Sequence, residues 1–202
     1  LLSEIADVRI AWGGAEAVKN IMSLPKQYIT TDIIFGPKLS LSCIGKEALQ
    51  TPAKASRLAR NIAVDCSVFD QEACASPHTV FVEKGGNISP WELANLLNEK
   101  MSDMLQQIPP MGYNDGTLGR VKSARMQHFL DGDVIHPRGL EWSILYRDKL
   151  ELADPVYGRS VMIREIDDLA EVAPLLSRDN QVVGLALPTP RRNHIAELYA
   201  SA

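Results

Sequence analysis

Cys74 lies in the stretch FDQEACASPH, Phe69 to His78, after an acidic and amide-rich segment and just before a proline. Its neighbours Ala73, Ala75 and Ser76 are small. A carbonyl carbon could therefore approach the sulfur, and nearby backbone N–H groups could stabilise the oxyanion that thiolate attack creates. A core thiol fits the local sequence as well, because free cysteines are among the most buried residues. Cys66, in NIAVDCSVF, and Cys43, in an apolar strand segment, read as core residues. Gly13 and Gly14 lie between a strand-like and a helix-like segment, where backbone N–H groups and a helix dipole can meet a phosphate. The complete G-x-G-x-x-G fingerprint is absent, so an ordinary tight turn is the favoured reading of the residues alone. Of the four histidines, His78 could act as a base for Cys74 or simply enter a strand facing solvent. His128 and His194 are expected on the surfaces of helices, and His136 has no partner visible in sequence. No Ser/His/Asp set and no metal-ligand spacing stands out, so no metal is expected.

These residues must be positioned by elements that the pattern makes legible. DVRIAW is strand-like and runs through Gly13-Gly14 into AEAVKNIMSL, which has helical spacing. DIIFGPKLSLSCIG reads as a strand broken at Gly36-Pro37. TPAKASRLARNIAVDCSVF opens with Thr51 as cap and Pro52 in the first turn. The Cys74 loop lies between that helix, which ends near Phe69, and the strand beginning near Thr79 in HTVFVEKGG. SPWELANLLNEKMSDMLQQIPP is the strongest helix, capped by Ser89 and closed by Pro109-Pro110. GTLGRVKSARMQHFLD continues as a helix, WSILYRD and RSVMIREID as strands, DLAEVAPLL as a helix, VVGLAL as a strand, and the tail as a helix. Alternating helices and strands define an α/β class, with a doubly wound, mostly parallel sheet and flanking helices.

The 202 residues, 46% hydrophobic and 23% charged, suffice for one full core or one domain with a smaller lobe. A net charge of −4 gives no electrostatic footprint for nucleic acid. No apolar run approaches a membrane span and no signal peptide opens the chain. Three cysteines at spacings that fit no disulfide framework point to a reducing, cytoplasmic setting. The opening LLSEIADVRIAWGG, without an initiator Met, and the uncapped closing helix RRNHIAELYASA read as the two ends of a fragment.

Three segments together resemble the bacterial long-chain acyl-CoA (fatty acyl) reductases of the bioluminescence type, a branch of the aldehyde dehydrogenase superfamily. They are ADVRIAWGGAEAVKNI, IIFGPKLSL and ARNIAVDCSVFDQEACASPHTVFVE, the last carrying the family's DQ-x-x-C-x-S-P pattern. The resemblance implies an aldehyde dehydrogenase-like catalytic domain in which Cys74 is the nucleophile. It implies reduction of a fatty acyl-CoA, or another activated acyl donor, to aldehyde through a cysteine thioester, with NADPH as hydride donor. It places Gly13 and Gly14 at the cofactor turn. Through ELADPVYGRSVMIREIDDLAEV it matches Glu151 to the glutamate that contacts the nicotinamide ribose, although ELAD replaces the usual E-x-F-G. Residues 1–50 would be the end of a cofactor-binding domain and 51–202 the catalytic domain. Synthetase or transferase subunits and a homo-oligomer are the implied partners. Two departures matter. Ile34 and Phe35 stand where hydrolytic members carry the glutamate that activates water, which argues against a non-acylating aldehyde dehydrogenase. His78 stands where relatives often have Gln. An acyl-accepting or subunit-interaction fragment without turnover is the remaining alternative.

Overall fold

The computed structural model describes residues 2–202. They form two compact units that divide between Lys38 and Leu39.

The smaller unit comprises α1 (Leu2–Ile5), β1 (Val8–Trp12), α2 (Ala15–Ser23) and β2 (Thr31–Phe35), with β1 and β2 parallel from Val8 opposite Thr31 to Trp12 opposite Phe35. Arg9 holds it together. Its guanidinium forks onto Asp32 at 2.7 and 3.1 Å and also donates to the carbonyl of Leu24 just beyond α2. Hydrogen bonds from Arg9 and Lys26 outweigh desolvation and hold the Asp32 carboxyl down at about 2.

The larger unit is built on β3 (Leu39–Ile44), β4 (Pro77–Glu83), β5 (Asp133–Ile135), β6 (Ser143–Arg147), β7 (Ser160–Ile166) and β8 (Asn180–Ala186), in the spatial order β5-β6-β7-β4-β3-β8. All neighbours pair parallel except β5, which runs antiparallel to β6. β3, placed with the cofactor segment by a boundary at residue 50, is hydrogen-bonded between β4 and β8 of this sheet.

Helices cover both faces, as in a doubly wound sheet. α3 (Pro52–Ser67) and α4 (Pro90–Gln107) cover one. Ala59, Ile62 and Ala63 of α3 and Leu93, Leu97 and Met101 of α4 pack there on Ile44, Val80, Val82, Ile144, Val161 and Ile163. On the other face α5 (Asp115–Asp131) lays Val121 on Leu145 and Met162. There too α6 (Thr189–Ala200) and a 3-10 run (Leu169–Leu175) bring Ile195, Leu169 and Val172 to Leu41, Cys43 and Phe81. β4, central in the sheet, is buried along its whole length.

The caps expected at Thr51 and Ser89 are formed, Ser89 within a full capping box with Glu92. DLAEVAPLL folds as that 3-10 run and not as an α-helix. Asp168 caps it, and Pro174 lacks the N–H that a continuing helix needs. The three-residue β5 was not anticipated, being too short to show a period. WELANLLNEKMSDML turns its apolar face into the core.

Candidate active site

The backbone takes an unusual path between α3 and β4. A 3-10 turn follows α3, and within it Phe69, Asp70 and Gln71 have φ of 50°, 50° and 68°. Three successive non-glycine residues in the left-handed region cost energy that surrounding contacts must offset. Those contacts are present. Arg159, 1% exposed, directs Nε and Nη2 at Asp70 Oδ1 at 2.7 and 2.6 Å, and its Nη1 donates to the Ile108 carbonyl at 2.9 Å. Asp70 Oδ2 accepts from Met111 N at 2.8 Å. Gln71 is fully buried: its Oε1 accepts from Ser160 N at 2.8 Å and its Nε2 donates to the carbonyls of Pro77 and Ser160 at 2.9 and 3.0 Å.

Cys74 emerges from this anchored root as an exposed thiol. Ser40 Oγ donates to the Cys74 carbonyl at 2.5 Å, and Gln181 Nε2 points at the sulfur from 3.6 Å. Within the loop, the amides of Glu72 and Ser76 are bonded to Phe69 O and Ala73 O. Those of Ala73, Cys74 and Ala75 donate to no partner among the described residues, so they stand available for an oxyanion. Cys43 and Cys66 are fully buried, as expected. Burial pushes the Cys43 thiol up to about 12 and raises that of Cys66 further. The three sulfurs therefore separate into two inert core thiols and one accessible group.

His78 is not a solvent-facing residue. It is 5% exposed, its ring meets Tyr157 edge-on with centroids 5.0 Å apart, and burial lowers its pKa to about 4. A neutral imidazole adds no positive charge beside a thiolate, and no hydrogen bond joins it to Cys74 among the described residues. His128 is also buried, contrary to expectation: α5 turns it inward, Nδ1 lies 2.9 Å from Ala124 O, and burial lowers its pKa. His136 Nδ1 sits 3.2 Å from Arg125 Nη1, and His194 is exposed as expected.

Glu151 lies in the β6–β7 loop and lines a cavity of about 650 Å³ with Arg120, His128, Arg147 and Arg164. Burial raises its pKa, but Lys149, Arg164 and Arg147, at 2.5, 3.4 and 3.2 Å, outweigh this and hold the carboxyl below its ordinary value. Cys74 is not among the residues lining this cavity. The β6–β7 loop reaches the Cys74 loop through Tyr157, Arg159 and Ser160 instead. Sequence reasoning gave these three no role; the signal present was the Asp-Gln pair preceding the cysteine.

Gly13, at φ +143°, and Gly14 belong to the smaller unit. Gly14 is the N-cap of α2, no side chain caps that helix, and a Cβ there would meet nothing within 4 Å. This open turn with free helix N–H groups fits a phosphate of a dinucleotide. The Glu151 carboxylate is 25% exposed. Among the described residues, no cluster of three or more His, Cys, Asp or Glu has the arrangement of a metal site.

The fold is that of the aldehyde dehydrogenases. The chain matches an NAD-dependent aldehyde dehydrogenase from Burkholderia multivorans with a TM-score of 0.69 at 13% identity, over 96% of this chain and 38% of that one. The 1-pyrroline-5-carboxylate dehydrogenase of Thermus thermophilus gives 0.69 at 8% identity, over 96% and 41%. Residues 1–201 match the family described as acyl-CoA reductase (LuxC), and the chain belongs to that family. A long-chain acyl-protein thioester reductase from Aliivibrio fischeri is 30% identical over 177 residues, 86% of this chain and 35% of the relative. Long-chain acyl-protein thioester reductase 2 from Photobacterium leiognathi is 29% identical over 187 residues, 90% and 36%. The chain thus spans about a third of the length of the curated relatives it matches.

Proposed function

We propose that this chain carries the acyl-accepting centre of a fatty acyl reductase, with Cys74 as the nucleophile. The observation that carries the reading is the contrast among the thiols: Cys74 is exposed on an anchored loop at the entry of the central strand, while Cys43 and Cys66 are sealed in the core. The Cys74 thiolate attacks the carbonyl of a long-chain acyl thioester, on CoA or on a carrier protein. A C–S bond forms to Cys74, the donor's C–S bond breaks, and the donor sulfur leaves as a thiolate that takes up a proton. The free amides of residues 73–75 hold the oxyanion in between.

Gly13, Gly14 and Glu151 are the residues proposed to hold NADPH, the first two at a phosphate and the third at a ribose hydroxyl. When bound, NADPH supplies the hydride that takes the acyl group to the aldehyde level. Aldehyde release returns Cys74 to its thiol state. The end of β2 carries Ile34 and Phe35, and the nearby Asp32 is engaged by Arg9 and Lys26. By the resemblance, Ile34 and Phe35 stand where hydrolytic members carry the water-activating glutamate, so the thioester is proposed to be kept for reduction rather than hydrolysis. In this reading a boundary near residue 50 separates the end of a cofactor-binding domain (1–50) from the catalytic domain (51–202), with β3 of the first segment pairing in the sheet of the second. Synthetase or transferase subunits supply the acyl group, a homo-oligomer is compatible, and a reducing cytoplasm suits a free reactive thiol. No helix of the described residues is long and apolar enough to cross a membrane.

A second reading rests on the absence of Cys74 from the lining of the Glu151 cavity: the chain accepts acyl groups on Cys74 without turning them over. Incubation with a long-chain acyl-CoA, with and without NADPH, separates the two. Aldehyde release with NADPH supports the first. Acylation at Cys74 with no NADPH oxidation supports the second. Aldehyde from a Cys74→Ala variant overturns both.

A further inference from the structure

The clamp made by Asp70, Gln71 and Arg159 has no part in the chemistry just described, yet it fixes the path of the chain that leads into Cys74. We propose that these three are positioning residues: they hold the Cys74 loop in the one conformation in which sulfur and loop amides converge on an acyl carbonyl. The proposal rests on Cys74 being the acyl acceptor.

Three observations lead there. The first is strain. Phe69, Asp70 and Gln71 are successive left-handed residues, and none is a glycine. A turn needed only to link α3 to β4 would be cheaper with glycine at those positions, so the side chains are being used.

The second is the convergence of the network. Each oxygen of Asp70 is engaged, and Gln71 uses both ends of its amide on backbone groups of Pro77 and Ser160. Buried hydrogen bonds of this kind, drawn from several elements onto two side chains, restrict the turn to few arrangements. The partners come from three distant places: the end of α4 through Ile108 and Met111, the start of β7 through Arg159 and Ser160, and the start of β4 through Pro77.

The third is register. Gln71 lies three residues before Cys74, and its bond to Pro77 O spans the loop from one root to the other. The five residues between them, with Cys74 at the centre, have both ends fixed. Arg159 and Tyr157 are themselves left-handed, at φ 55° and 64°, so the strap on the far side of the clamp is held in an equally restricted form.

A structural role and a positioning role predict different behaviour. Removing one member of a buried ion pair leaves a lone charge and destabilises the fold, whereas replacing both members with neutral groups of similar size often does not. The test therefore compares Asp70→Asn, Arg159→Lys, Gln71→Glu and the double variant Asp70→Asn/Arg159→Met in the full chain. Three quantities are measured: the unfolding midpoint, the single-turnover rate of Cys74 acylation by a long-chain acyl-CoA, and the rate of Cys74 alkylation by iodoacetamide. Alkylation needs an exposed thiol but no oriented carbonyl. The expected result is a double variant with a midpoint near wild type and alkylation unchanged, but acylation slowed roughly 100-fold, as displacements near 1 Å do to oriented reactions. The loss should fall on the acylation rate at saturation, with the half-saturating donor concentration little changed. The proposal is overturned if the double variant acylates within about twofold of wild type, or if acylation and alkylation fall together. If wild-type chain is not acylated at Cys74 at all, the functional reading itself has failed.

Discussion

Cys74 differs from the other two cysteines by environment alone. A thiol in the core resists ionisation because burial disfavours the charged form, and Cys43 and Cys66 obey that rule. Cys74→Ser is expected to keep the fold and lose thioester formation, read by intact mass after incubation with acyl-CoA. His78 belongs to the same scale with the opposite sign. Its folded pKa, about 4, lies below the ordinary value of 6.5, so the native imidazole is neutral where an unfolded one is charged. Acid should weaken the fold as pH falls from about 6.5 to about 4, by roughly 3 kcal/mol at most for this group, and then level off. His78→Gln should flatten the unfolding midpoint over that window, leaving a remnant from His128, which is shifted the same way. The open loop around Cys74 was legible in sequence because its small residues are local. The clamp was not, because Asp70 and Arg159 are 89 residues apart and no local pattern joins them.

The elements show which sequence signals carry and which do not. α3 and α4 declare themselves through caps, a first-turn proline and a clear apolar face. α5 was found as a helix but its buried side was not. It presents Thr117, Val121, Ala124 and His128 inward, a stripe with a single branched aliphatic, so hydropathy gave no warning that His128 faces the core. β4 posed the converse difficulty. A strand covered on both faces has no alternation to read, and His78 at its entry therefore looked like a surface residue. The packing of α4 makes a prediction of its own. Leu97 is fully buried against the sheet, so Leu97→Ala should cost about 2–5 kcal/mol of stability in chemical denaturation. The preference of Cys74 acylation among acyl chain lengths should not move, since this face packs protein and not ligand.

At the scale of the molecule the two units are unequal in what they bury. The larger has helices on both faces of six strands. The smaller leaves Ile10, Trp12 and Phe35 more than half exposed on a two-stranded sheet. A sheet that small is marginal by itself. The larger unit should therefore carry the main cooperative transition of the chain, seen in scanning calorimetry as the dominant endotherm. The alternation of helices and strands made the α/β class legible. Which strands share a sheet was not, because β2 and β3 read as one strand interrupted at Gly36-Pro37 while they belong to separate sheets.

The unequal burial of the three sulfurs has a practical side. To any water-soluble thiol reagent the folded protein is a one-thiol molecule, and only unfolding exposes three. A chromogenic disulfide titration should count one group in buffer and three in denaturant, so the same reagent reports both the integrity of the fold and the occupancy of the site. Under mild oxidation the exposed Cys74 is the thiol open to a disulfide with another molecule. Samples kept without reductant should accumulate a covalent pair joined at Cys74, incapable of accepting an acyl group until it is reduced.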